Sequence, residues 1–310
     1  MITSVTYVII TLFLVLLLGI FIRKIGIIDW PTTKKLSGFV VNIAHPFLII
    51  GSFATELTAD KLVIALQIVA ASIVLHISFS ILAKFLFKGN EKVDKVTYEF
   101  SLIFGNCAFM GYPVLIRVFP QNGLFYGACF TLVFNIYIRT YGVYLLNRGK
   151  KGKHPFGRAL INPGTIASVI GILLFVFSIK LPQPINETVI LMADLTFPLS
   201  MLIVGSLLCN QPIKNLFQKK LFIFSFMRLL LLPVFVLTLC TVLFIDKGLT
   251  YVLVIMASMP TAANSALFCE LYKANSSLAA SCVGMTSLFS VVTIPAMLAL
   301  TDFVMTLLKR

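Results

Sequence analysis

Residues 104–113 read FGNCAFMGYP, and residues 259–264 read MPTAAN. Each stretch lies in the middle of an apolar run that otherwise has the length and character of a helix. Proline removes a backbone donor and clashes with the preceding turn, and glycine loosens what remains. Gly105, Asn106, Gly111 and Pro113 in the first run, and Pro260 and Asn264 in the second, therefore predict two helices that each break into halves. What surrounds these breaks decides the fold.

The chain has 310 residues, 59% hydrophobic and 12% charged, with mean hydropathy +1.02. Soluble domains carry about a quarter charged residues, so this composition is that of an all-α integral membrane protein. A bilayer core takes roughly 20 apolar residues per helical span. Ten such stretches are expected, near residues 5–22, 36–53, 62–83, 98–116, 124–146, 162–178, 188–208, 221–245, 249–269 and 277–306. The connections between them are too short to hold a further domain.

Lys and Arg concentrate in alternate connections. The odd-numbered ones hold Arg23, Lys24, Lys34, Lys35, Lys84, Lys88, Lys92, Lys95, Arg148, Lys150, Lys151, Lys153, Arg158, Lys214, Lys219, Lys220 and Lys273, seventeen in all, against Lys61, Arg117, Lys180 and Lys247 in the even-numbered ones. Lys309 and Arg310 lie at the C-terminus. By the positive-inside rule the odd connections are cytoplasmic and both termini are extracellular, in a multi-pass protein of the cell membrane. The net charge of +14 is thereby spent on topology and anionic lipid headgroups rather than on nucleic acid. The N-terminus MITSVTYVII has no basic residue before its apolar run, while RK follows it, which predicts a first span rather than a cleaved signal.

The six cysteines, at 107, 129, 209, 240, 269 and 282, show no metal-ligand spacing and are expected to pack as small apolar groups. No triad, carboxylate pair or HExxH motif points to an enzyme, and no cofactor or metal is expected.

Ten spans divide into five and five, so that the halves, residues 1–150 and 151–310, run in opposite directions. Asn42 to Ser52 (NIAHPFLIIGS) in the second span and Asp194 to Ser206 (DLTFPLSMLIVGS) in the seventh share an amide or acid, three residues, a proline and a later Gly-Ser. Spans 4 and 9, the two interrupted ones, correspond in the same scheme. Inverted repeats with broken helices are a mark of secondary transporters. Broken backbone survives in lipid only when buried in protein or lining a wet cavity. Pro113 and Pro260 are expected to start the second half-helices, whose positive N-terminal ends face a midplane site suited to an anion.

Charged groups inside spans are functional by default. Asp194, at the expected break of span 7, suits a substrate, proton or gating role, or else a helix-end cap or a partner for a basic residue. Arg228 lies about two turns inside span 8, where it serves a carboxylate or snorkels; Arg139 in span 5 is expected to snorkel. His45, beside Pro46, is a proton carrier or a neutral packing residue, and His76 a packing residue. Asn42 lines the site or bonds between helices.

The stretches GNCAFMGYP, INPGTIASVIGILL, MADLTFPLSMLIVGSLL, FMRLLLLP and MPTAANSALFCELY, in that order, resemble the auxin efflux carrier family, which includes plant PIN-type carriers and bacterial malate-permease-like transporters. The likeness spans essentially the whole chain, apart from the long loop that many plant members carry between spans 5 and 6. It implies discontinuous spans 4 and 9 that cross at their prolines, a scaffold of spans 1, 2, 6 and 7 that is often dimeric, and a transport domain of spans 3–5 and 8–10 that moves as an elevator. Asn106, Gly111, Pro113, Pro260 and Asn264 are then the substrate-binding candidates, with Asp194, Arg228, Asn42 and His45 as gating, proton or anion-coordinating candidates. Members of the related bile-acid sodium symporter group bind sodium through an acidic residue on span 9, and SMPTAANSALF has none.

The expected function is secondary transport of small organic anions, malate or a similar carboxylate, by a membrane-embedded homodimer. A sodium symporter of a larger amphipathic anion and a non-transporting receptor are the alternatives.

Overall fold

The computed structural model describes residues 2–87, 92–148, 161–209 and 218–308. Lys88, Lys150, Lys151, Lys153, Arg158, Lys214, Lys309 and Arg310, on which the charge count partly rests, lie outside these, as does the boundary between residues 150 and 151.

Among the described residues the chain is helical. Seven helices are long and apolar enough to cross a membrane: α1 (Ile2–Lys24), α2 (Trp30–Phe53), α3 (Ala59–Leu86), α6 (Gly123–Leu146), α8 (Gln183–Cys209), α9 (Lys219–Val242) and α12 (Ser276–Leu307). Three shorter apolar helices accompany them, α5 (Cys107–Val118), α7 (Pro163–Val176) and α10 (Lys247–Ala257). Two further segments, α4 (Lys92–Ile103) and α11 (Ser265–Leu271), complete the set. The stretches expected as spans 4 and 9 are thus α4 with α5 and α10 with α11, each interrupted by non-helical residues.

Helix ends follow capping chemistry. Asp29, Thr58, Asn162, Asp246 and Asn275 each accept a hydrogen bond from a backbone N–H in the first turn of the helix they precede, which satisfies donors that helix geometry leaves free. Four helices contain one wide π turn, at Val40–Ala44, Cys107–Gly111, Ile138–Gly142 and Met227–Leu231. Three of these turns end two residues before a proline, namely Pro46, Pro113 and Pro233. A proline has no N–H to give to the turn behind it and pushes its ring against that turn, so the ladder widens there.

The helices are apolar all round. On α1 the buried stripe Val5, Ile9, Leu12, Leu16 and Gly19 packs inward, while Tyr7, Leu14, Leu18 and Phe21 on the other side are exposed. In water that outer surface would be an aggregation hazard; against lipid it costs nothing. α1 lies along the C-terminal part of α8, and α2 packs on α7 and on the N-terminal part of α8. A side chain at Gly19 would run into the backbone of Leu202, and one at Gly205 into that of Leu16 and Ile20. Small residues bring helix backbones together in this way where lipid removes the hydrophobic driving force. Gly51 and Gly171 do the same between α2 and its neighbours, facing Val189 and Phe53. A second set of contacts joins α3 to α4 and α6, α9 to α10 and α12, and α12 to α4 and α11.

Gly205→Leu should overpack the α1–α8 contact and lower the thermal unfolding midpoint of purified protein in detergent, at a cost of about 1–3 kcal/mol. Gly38→Leu, at a position with nothing within 4 Å of an added Cβ, should leave the midpoint in place; equal losses in both variants would refute the close-contact account.

Candidate functional site

The two breaks pair with each other. The Asn106 N–H donates to the Pro260 carbonyl at 2.6 Å, and the Ala262 N–H donates to the Phe104 carbonyl at 2.9 Å, so Gly105 and Thr261 face across a one-rung antiparallel bridge. Other groups of the breaks are tied nearby. Thr261 donates its hydroxyl to the Ser101 carbonyl at 3.0 Å and its N–H to the Thr286 hydroxyl at 3.1 Å. Cys107 Sγ donates to the Met256 carbonyl at 3.6 Å. These bonds satisfy interrupted backbone that lipid could not.

The crossing is therefore at Gly105 and Thr261, with Pro260 beside it. Pro113 is eight residues further on, the second residue of the α-helical turn that follows the wide turn of α5. Nor do the prolines start the second half-helices: Asn106 precedes α5 and Asn264 precedes α11. The antiparallel rung takes up Pro260, whose carbonyl accepts from the Asn106 N–H, while Pro113 falls inside a helix that has already begun with the wide turn. Unlike Asp29, Thr58, Asn162, Asp246 and Asn275, Asn106 and Asn264 make no side-chain cap bond.

Arg228, from the wide turn of α9, is 1% exposed and donates to the Leu102 carbonyl at 3.1 Å. Leu102 lies at the C-terminal end of α4, where partial negative charge accumulates, so the guanidinium complements that end. An added Cβ on Gly105 would collide with the Arg228 guanidinium. Arg228 thus neither snorkels nor lines the cavity; it braces the crossing from behind. Gly111 likewise makes room, for Met256 and Met259, and neither Gly111 nor Pro113 lines either of the cavities beside the crossing.

An inner cavity of about 30 Å³ adjoins the crossing, room for one or two water-sized groups. Its polar lining comes from His45 on α2, Asn106, Asn135 and Arg139 on α6, and Asn264. His45, Asn106 and Asn135 are at least nine-tenths buried. His45 Nε2, Asn106 Nδ2, Asn135 Nδ2 and Arg139 Nε have no hydrogen-bond partner among the described residues. Leaving a buried polar group unpaired costs about 1–3 kcal/mol, more for a charge. Four at one cavity mark a place built for a polar guest. Arg139 was expected to snorkel, and instead it lines this cavity; Asn135, which apolar context hid in the sequence, joins it.

A larger cavity of about 520 Å³ lies next to it and shares Val41, Asn264 and Phe268 with it. Lys34, Ser37, Gly38 and Asn42 of α2 face Leu267, Glu270 and Leu271 across it. Lys34 donates to Glu270 at 2.8 Å on its exposed rim. Asn42 lines this vestibule and bonds back to the Gly38 carbonyl of its own helix rather than to another. Asp194 stands at the interruption of α8, as expected, but is exposed and lines neither cavity. His76 is a packing residue: its Nδ1 lies 2.7 Å from the Ser72 carbonyl, and its ring sits among Phe104, Phe130, Phe134 and Tyr137. All six cysteines are free, and no cluster of metal-ligating side chains occurs among the described residues.

A bundle of membrane-length helices around a crossing of two interrupted ones, with a polar chamber at the crossing, is an architecture suited to membrane transport. Comparison with known proteins agrees. Residues 4–157 and 155–298 match the membrane transport protein family, and the chain belongs to that family, which includes auxin efflux carriers. It is 27% identical over 302 residues to an uncharacterized transporter of Methanocaldococcus jannaschii, covering 93% of this chain and 96% of that one. A second uncharacterized transporter, from Methanothermobacter thermautotrophicus, is 24% identical over 303 residues, covering 94% and 96%.

Gly105→Ala should displace Arg228 and lower the thermal midpoint. In the double variant with Arg228→Met the two losses should fall short of additivity by about 0.5–3 kcal/mol. Strictly additive losses would separate the glycine from the arginine.

Proposed function

We propose that this protein is a secondary transporter of small organic anions, malate or a similar carboxylate, working by alternating access at the crossing. The observation that carries the reading is the inner cavity, where unpartnered nitrogen groups of Asn106, Asn135, His45 and Arg139 converge beside the starts of two half-helices. Free backbone N–H groups at a helix start favour negative charge, and an amide not spent on capping adds a donor to them.

The packing supports a division of labour. α1, α2, α7 and α8, corresponding to spans 1, 2, 6 and 7, form the scaffold; α3 to α6 and α9 to α12 form a transport domain that slides against it as an elevator, in a homodimer. The contact of α1 with the second part of α8 has its counterpart in the contact of α7 with the second part of α2, as two inverted five-helix repeats require. The vestibule between α2 and α11 then lies between scaffold and transport domain, on the cytoplasmic side carrying the odd-numbered connections, with both termini outside. No residue lining the inner cavity carries a carboxylate, which favours uniport, exchange or proton coupling over sodium symport.

Counterflow of labelled malate into proteoliposomes preloaded with unlabelled malate tests this. Uptake should exceed that of protein-free vesicles, persist without sodium, and fall at least tenfold in Asn106→Ala. Full uptake in that variant would remove the crossing as the site, and no uptake by folded wild-type protein would remove malate as the substrate.

A further inference from the structure

The geometry points to Arg139 as the residue that selects for negative charge, the counter-ion for one anionic group of the substrate in the inner cavity. This rests on the transport reading above and adds to it a specificity-determining contact on α6, a helix outside the crossing itself.

A guanidinium is ionised at any physiological pH, and taking it out of water is costly unless an opposite charge or a set of acceptors receives it. Arg139 is partly buried and has neither: it makes no hydrogen bond or ion pair with any described residue. The carboxylates that could answer it are engaged elsewhere or lie apart. Glu99 faces Lys95 and Arg148, Glu270 faces Lys34, Asp94 accepts from Asn275, and Asp302 accepts from Tyr251. Asp194 is exposed on α8 and absent from the cavity lining.

Arg228 shows what this fold does with an arginine that serves structure. It is sealed in, with Nη1 donating to the Leu102 carbonyl at the C-terminal end of α4, while its Nε, like that of Arg139, has no partner among the described residues. Arg139 differs in being only partly buried, in donating no hydrogen bond to any described residue, and in lining a cavity whose other polar walls, Asn106, Asn135 and His45, have unpartnered nitrogens of their own and are at least nine-tenths buried. Amides accommodate neutral and anionic guests alike; a fixed positive charge does not. The small inner volume admits one such group, and the remainder of the substrate extends into the vestibule through the shared residues Val41, Asn264 and Phe268.

The test uses the whole protein in liposomes with malate, acetate and benzoate as probes and malamide as the uncharged control. Arg139→Gln should reduce counterflow of the transported anion at least tenfold, and Arg139→Lys should retain more than the glutamine variant because the charge remains. On wild-type protein, phenylglyoxal modification followed by peptide mass spectrometry should show Arg139 labelling slowed severalfold by the transported anion and unaffected by malamide, with Arg228 unchanged. Wild-type flux in Arg139→Gln overturns the assignment. If that variant does not fold, unprotected labelling of Arg139 in wild-type protein overturns it. Flux that is lost in Asn106→Ala but insensitive to Arg139 removes this inference alone, whereas wild-type protein that carries none of the three anions removes the transport reading along with it.

Discussion

Two backbone hydrogen bonds, Asn106 to Pro260 and Ala262 to Phe104, hold together everything else at the centre of this molecule. Lipid offers no partner to an interrupted helix, so each break is tolerable only because the other break completes it. The neighbouring choices follow from that pairing. Residue 105 is glycine because the Arg228 guanidinium occupies the place of a side chain, and residue 111 is glycine because Met256 and Met259 approach it. Thr261 ties its break to α4 and α12. With the backbone so satisfied, the side chains of Asn106 and Asn264 are released from capping and left to face the cavities.

The same economy governs charge. Arg228 and Arg139 each sit within a wide turn of an apolar helix, and nothing in their immediate sequence tells them apart. One donates to a helix C-terminus and braces the crossing; the other makes no hydrogen bond or ion pair among the described residues. At the periphery, charges behave conventionally. Glu56 and Lys180 pair at 2.7 Å between connections, and the Lys180 ammonium beside Glu56 holds its carboxyl below the usual carboxylate range. That preference is present at neutral pH and lost as the pH falls through the depressed value; at an exposed site it contributes little to stability.

The wide turns fall where polar side chains enter the apolar helices. Each carries or adjoins a polar residue: Asn42 and His45, Asn106, Arg139, Arg228. Prolines stand two residues beyond three of them, and of these only the stretch ending at Pro113 was expected as an interruption. The turn at Ile138–Gly142 has no proline after it.

Composition and hydropathy by themselves determined that the chain is a helical membrane protein, because a bilayer accepts little else, and glycine and proline placed the two interruptions, because those residues act on the backbone locally. Asn106 and Asn264 were legible as site candidates from their position at the breaks. Tertiary structure alone decided that the breaks pair with each other at Gly105 and Thr261 rather than at Pro113, that Arg228 stands behind the crossing, that Asp194 stands apart from it, and that Asn135 and Arg139 line the cavity. Each of these depends on which helix lies beside which, and the periodicity of an apolar helix with no polar face carries no record of its neighbours.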